Sequence, residues 1–161
     1  MKSRVNKAEV AAKPRAQAPT RAEAQCACGA VALAIAIPAQ WAWHDHSPAS
    51  RRIHGAAYAT YVGAWKSRVQ FLRGEDKLTA FAEPGGVRRF CSVCGTPVTY
   101  ERNRAPNNVN IPRALFTSGT GREPRYHIAI DELRDWAYLG EKLKPLKGFP
   151  GVVWTGGRKR K

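Results

Sequence analysis

Four cysteines stand in two close pairs, Cys26-Ala-Cys28-Gly29 and Cys91-Ser-Val-Cys94-Gly95. A short spacer closed by glycine lets the backbone curl until both sulfurs of a pair face one point, with nearby N–H groups free to hydrogen-bond the thiolates. Two such pairs supply four soft anionic ligands, a set that suits Zn²⁺ over hard cations and closes a tetrahedral site with no position left for substrate. Such a site is structural. A redox Cys-x-x-Cys at Cys91 and Cys94 is the competing chemistry, and it leaves Cys26 and Cys28 without a role. The 62 residues between Cys28 and Cys91 make the metal a long-range staple, so its loss is expected to unfold the body of the protein.

The histidines offer less. His44 and His46 are two apart, so on an extended segment they share one side and leave Asp45 on the other. Together with His54 or His127 they form a conceivable second metal site, although a structural or exposed imidazole is the favoured reading for each. Trp41, Trp43 and Trp65 could line a pocket beside this segment or simply pack a small core.

The elements that must position these groups are short strands and turns. Val31 to Ile37 alternates larger aliphatics with alanine, the period of a strand packed on one face, and Pro38 ends it. Arg68–Leu72, Lys77–Phe81 and Arg88–Phe90 read as three further strands, separated by Gly74 and by the turn Pro84-Gly85-Gly86. Thr96–Tyr100 and His127–Ile130 are two more, and the only helical expectation is a short turn near Ile53 to Ala57. The fold class is mainly β. Gly119-Thr120-Gly121 is read as a plain turn, since the rest of a phosphate-loop fingerprint is missing.

Charge separates the body from its ends. The chain has 161 residues, with 27 Lys and Arg against 12 Asp and Glu, a net of +15. Residues 1–22 carry +5 and Arg158-Lys159-Arg160-Lys161 carry +4, which leaves only +6 for the part between. Residues 1–23 read as a disordered basic tail and residues 151–161 as a basic C-terminal tail, flanking one zinc domain over 24–150. Such arms can neutralise phosphates, so non-specific nucleic-acid contact stands beside simple solubility as their expected use. A hydrophobic content of 43% is too high for a wholly disordered chain, and no apolar run is long enough to span a bilayer. The longest, from Val31 to Pro38, lacks a basic leader, which points to the cytoplasm, where thiols are ligands or redox groups more often than disulfides.

Three stretches together resemble the family of the glutathione-dependent formaldehyde-activating enzyme and centromere protein V. They are Cys26-x-Cys28-Gly29-Ala30-Val31, Arg89-Phe90-Cys91-x-x-Cys94-Gly95-Thr96, and Pro124-x-x-His127-Ile128 followed by Asp135-Trp136. The resemblance implies a β-tent fold of small coiled antiparallel sheets, with Cys26, Cys28, Cys91 and Cys94 as ligands of a structural zinc. It also implies a carbon–sulfur lyase acting on the adduct of glutathione and formaldehyde, with a second, catalytic zinc held by a Cys-His-Cys-Ser-x-Cys-Arg segment. The matching segment here is Asp45-His46-Ser47-Pro48-Ala49-Ser50-Arg51, in which Asp45, Ser47 and Ser50 stand where the cysteines belong. A serine hydroxyl is a poor zinc ligand beside a thiolate, so the catalytic zinc is expected to be absent and lyase activity weak or lost. What such a degenerate site keeps is His46 as a weak acid or base, and Arg51 and Arg52 as donors to the carboxylates of glutathione or a related thiol. The alternative is a non-catalytic binding module whose basic tails contact nucleic acid or acidic partners.

Overall fold

The computed structural model describes residues 20–137 and 144–154. Alternation in short segments is what builds it. In β1 (Arg21–Gln25) the charged or polar Arg21, Glu23 and Gln25 face solvent while Ala22 and Ala24 are buried. A tight turn through Cys26–Val31 leads into β2 (Ala32–Ala36), which lies between β1 and a later strand and buries Ala32, Leu33, Ala34 and Ile35 in succession. The expected strand is therefore present, but it is covered on both faces. Alanine on the second face is small enough for close approach.

The chain then forms β3 (Trp41–Asp45), one helix α1 (Pro48–His54) and β4 (Ala59–Trp65). After these come β5 (Val69–Arg73), β6 (Leu78–Glu83), β7 (Gly86–Cys91), β8 (Pro97–Arg102) and β9 (Asn108–Pro112). Three short strands close the described chain: β10 (Tyr126–Ile128), β11 (Lys144–Pro145) and β12 (Val153–Trp154). A three-stranded sheet runs β1-β2-β5, and a larger one runs β11-β12-β10-β3-β4-β9-β8-β7-β6. Every pairing is antiparallel except β10 beside β3.

The large sheet has two working faces, because side chains alternate along each strand. One face presents Ala42, Val62, Ala64, Val109 and Ile111 to Leu33 and Ile35 of the small sheet, and this is the main core. Burying each of the larger aliphatics there is worth roughly 1.5–3 kcal/mol. The other face presents Trp43, Ala59, Tyr61 and Tyr100, and α1 lies on that side, where His54 meets Tyr61 and Ser50 meets Asp45. Gly63 is required on that face, since a Cβ there would lie 1.9 Å from the Trp41 indole that crosses it.

Four boundaries differ from the sequence expectation. The helix starts at Pro48, not near Ile53, because Ser47 caps it and Gly55 ends it at φ 57. The strand through His127 stops at Ile128, where Ala129 turns into the left-handed region at φ 53. Arg21–Gln25 pairs with β2, so the last residues of the expected N-terminal tail belong to the domain. At the other end Val153 and Trp154 pair with β10, inside the expected C-terminal tail. The remainder of both tails, residues 1–19 and 155–161, lies outside the described residues.

Candidate functional site

The two cysteine turns meet at one corner of the molecule. The Sγ atoms of Cys26, Cys28, Cys91 and Cys94 all lie within 4.8 Å of one another, with Cys26 to Cys28 at 3.6 Å and Cys28 to Cys91 at 3.9 Å. Sulfurs placed tetrahedrally at a typical thiolate–metal distance are roughly 3.8 Å apart, so the four could hold one metal ion. All four are free thiols. Local folding explains the convergence. Gly29 and Gly95 take left-handed φ values of 74 and 72, which curls each turn so that the Gly29 N–H reaches Cys26 O at 3.0 Å and the Gly95 N–H reaches Cys91 O at 2.8 Å. The Val31 N–H donates to Cys26 Sγ at 3.2 Å. Thr96 does the same work for Cys94: its hydroxyl lies 3.1 Å from the sulfur, and with its N–H it lowers the thiol to about 5. Among the described residues this is the only cluster of His, Cys, Asp and Glu able to hold a metal.

The segment after β3 is built differently. Asp45 is buried at the end of β3, its Oδ1 accepting the Ser47 N–H at 2.9 Å and its Oδ2 accepting the Ser50 hydroxyl at 2.9 Å. Ser47 Oγ in turn accepts the Ser50 N–H at 3.3 Å as the helix cap. The three positions thus converge, but on one another. Arg88 reaches into the same network from β7: its guanidinium donates to Tyr61 Oη at 2.8 Å, to Ser50 Oγ at 3.4 Å and to Glu83 at 2.9 Å, and lies 3.6 Å from the Tyr100 ring centroid. His54 Nε2 is 2.8 Å from the same tyrosine oxygen, and burial pushes its pKa down. The donor set here is hard oxygen and hydrogen-bonded throughout, so it does not fit a soft metal that carries a substrate thiolate.

His44 and His46 do point to one side, opposite Asp45, where they meet His127 from β10. His46 Nε2 lies 3.0 Å from His127 Nδ1, and the His44 and His127 rings are 4.6 Å apart. His54 stands apart from them, on the Tyr61 side. Burial drives both His46 and His127 down to about 4, with neighbouring His44 adding to the effect on His46 and His46 to that on His127. The pair is therefore neutral at pH 7. His46 Nδ1 is buried with no partner among the described residues.

Arg51 and Arg52 separate. Arg51 Nη1 donates to the carbonyls of His46 and Glu132, the second at 2.6 Å, so it ties α1 to the chain after β10. Arg52 is exposed. Trp41 and Trp43 stack at 5.3 Å on the Asp45 face, whereas Trp65 is exposed at the far end of β4. The residues not singled out from the sequence are Arg88, Tyr61, Tyr100 and Arg102, the last lying 4.6 Å over the Trp43 ring. They come from three different strands, and only sheet register brings them together.

A small antiparallel β protein with a four-cysteine corner is what the fold and site define. The family model of the glutathione-dependent formaldehyde-activating enzyme matches residues 21–132, and the chain belongs to that family. A crystal structure of a Rhodobacter sphaeroides protein is similar in fold, with a TM-score of 0.53 at 22% identity over 60% of this chain and 89% of that one. None of the curated proteins matches the chain. No described helix is long and apolar enough to cross a membrane.

Proposed function

We propose that this chain is a one-zinc member of its family, with the β-tent arrangement and a catalytic segment converted from metal ligation to structure. The observation that carries this is the closed set of hydrogen bonds among Asp45, Ser47 and Ser50. In the family chemistry a carbon–sulfur lyase needs a glutathione thiol made nucleophilic by metal coordination at that segment. Here an acid, a helix cap and a buried hydroxyl use the same positions to hold α1 against β3. Zn²⁺ at Cys26, Cys28, Cys91 and Cys94 is the single metal, closed on four thiolates and structural in role. Its unpaired thiols fit a reducing, cytoplasmic setting.

What the chain's own residues do is position and bind. Exposed Arg52 is available to a carboxylate of glutathione or a related thiol, and the neutral His46–His127 pair offers a buried acceptor or donor beside Tyr58. The test is elemental analysis joined to a rate measurement. One zinc per chain is expected, with glutathione–formaldehyde condensation no faster than in buffer. The triple change Asp45→Cys, Ser47→Cys, Ser50→Cys is expected to recruit a second zinc and raise the rate. Two zinc ions in the unaltered protein, or robust turnover lost on His46→Ala, would overturn the proposal. A binding role through the basic tails is the second reading, supported by the concentration of positive charge at both ends of the sequence.

A further inference from the structure

A strand at the edge of a sheet offers a row of free N–H and C=O groups, and proteins blunt such edges with charge, proline, bulges, very short strands or cover. Three of the four sheet edges here are blunted in this way. β1 alternates Arg21 and Glu23 with alanine and is bridged by Phe116 at Ala24. β5 pairs with β2 through an irregularity at Ala32 and Leu33, and β11 is only Lys144-Pro145. β6 has none of these devices along its length. Leu78-Thr79-Ala80-Phe81-Ala82-Glu83 runs against β7 in unbroken register, and among the described residues no strand pairs with its other side. Charge and proline stand only at its ends, in Lys77, Glu83 and Pro84, while Phe81 in its middle is 50% exposed.

The hairpin fixes which groups of β6 are free. Glu83 and Gly86 close a two-residue turn, and the Ser92 N–H donates to Lys77 O at 2.9 Å. Bonded and non-bonded pairs alternate along an antiparallel ladder, so the odd-numbered residues of β6 bond to β7. Leu78, Ala80 and Ala82 therefore aim their N–H and C=O groups at the open side. Two copies of this edge, set antiparallel about a two-fold axis, match fully in one register. With the axis at Ala80, Leu78 of each copy faces Ala82 of the other and Ala80 faces Ala80, so every outward group finds a partner. An axis at Thr79 or Phe81 carries one of the three pairs off the strand, to Asp76 in the preceding helical turn or to Pro84, which has no N–H. The side chains agree with the Ala80 register. Thr79 of one copy meets Phe81 of the other in the closer, non-hydrogen-bonded type of pair. At each end exposed Lys77 stands opposite Glu83, a carboxylate that already takes Arg88 at Oε1, so opposite charges face each other and like charges do not.

We propose that β6 is a dimerisation edge, which joins two copies of this chain into one continuous sheet through the register centred on Ala80. The test is sedimentation of the full-length protein over a concentration series at about 0.15 M salt, joined to amide exchange followed by NMR. A reversible monomer–dimer equilibrium is expected, with the Leu78, Ala80 and Ala82 amides exchanging slowly in the dimer and quickly on dilution. Ala80→Pro removes an N–H that β7 does not use, a change an edge strand tolerates, and is expected to weaken the dimer about tenfold or more. Phe81→Lys is expected to weaken it to a similar degree, because it sets a cation diagonal to Lys77 of the other copy. Thermal unfolding of both variants checks that the fold is retained. A monomer at every concentration would overturn the proposal, whether its edge amides exchange quickly, as an open edge, or slowly, as one covered by another part of the same chain. So would a dimer that persists unchanged in either folded variant, since it must then form through a different surface.

Discussion

Asp45 illustrates how one buried side chain can organise the start of a helix. Its buried carboxylate organises the Ser47 N–H and the Ser50 hydroxyl, and through them the first turn of α1. Asp45→Ala would strand both donors away from water, so a loss of about 2–3 kcal/mol is expected in urea unfolding of the zinc-loaded protein. Ser47→Ala, which removes only the cap, is expected to cost about 1 kcal/mol. If the two positions were mere remnants of a lost site, neither change would be felt. The buried imidazoles give a second expectation. His46 and His127 are held down to about 4 in the fold by burial, against about 6.5 when the chain is unfolded. Between those values the unfolded chain binds more protons, so stability is full above about pH 6.5 and declines as the pH falls toward 4. Urea midpoints at a series of pH values would show this, and the slope should flatten in His127→Asn relative to the unaltered protein measured at the same zinc loading.

Single elements show which forces are visible along a sequence. β2 packs between β1 and β5 with Leu33 and Ile35 almost wholly buried against the large sheet, so Leu33→Ala is expected to cost about 2–5 kcal/mol in the same assay. This strand was legible because its alternation is regular and Pro38 stops it. β5, β6, β7 and β8 were legible for a similar reason, glycine and proline turns setting them apart. β1 was not, because Arg21 and Glu23 alternating with alanine resemble a charged tail until β2 supplies a partner. β3 and β4 were hidden by composition, since Trp41, Trp43 and Tyr61 alternate with residues whose burial depends on which face α1 covers. The helix was misplaced because periodicity had nothing to work on: Ser50 is the one residue of α1 that is buried. Its signal was the cap, Ser47 followed by Pro48. The same division runs through the site. The cysteine pairs are local in sequence and could be read directly, whereas the Arg88, Tyr61 and Tyr100 network exists only once β4, β7 and β8 are in register.

At the scale of the whole molecule, charge and metal act on different parts. The first described strand is β1, so the tails worth deleting are residues 1–19 and 158–161, each carrying +4. Binding to mixed-sequence DNA is expected to weaken steeply with added salt and to be largely lost in that truncation, which gel-shift titrations at several salt concentrations would measure. The proposed zinc belongs to the body. Cys26 and Cys28 lie in the turn that joins β1 to β2 of the small sheet, while Cys91 ends β7 and Cys94 precedes β8 of the large one. One ion at that corner would fasten the two sheets whose facing sides form the core. Structural zinc is worth roughly 10–16 kcal/mol in small peptides, against about 5–15 kcal/mol for the entire stability of a domain, so the core should not survive without it. Cys94 is the residue with which to test this, because it is exposed and its truncation removes no packing, unlike fully buried Cys91. Cys94→Ala is expected to give an aggregated chain or one without a cooperative thermal transition, and chelation of the unaltered protein should do the same. Gly95→Ala serves as the control for disturbing the turn while leaving all four sulfurs: no side chain or backbone crowds it, and its left-handed φ costs about 1–2 kcal/mol. A Cys94→Ala protein that stays soluble and melts cooperatively near the unaltered one would mean that apolar packing between the sheets, and not the metal, holds the molecule together.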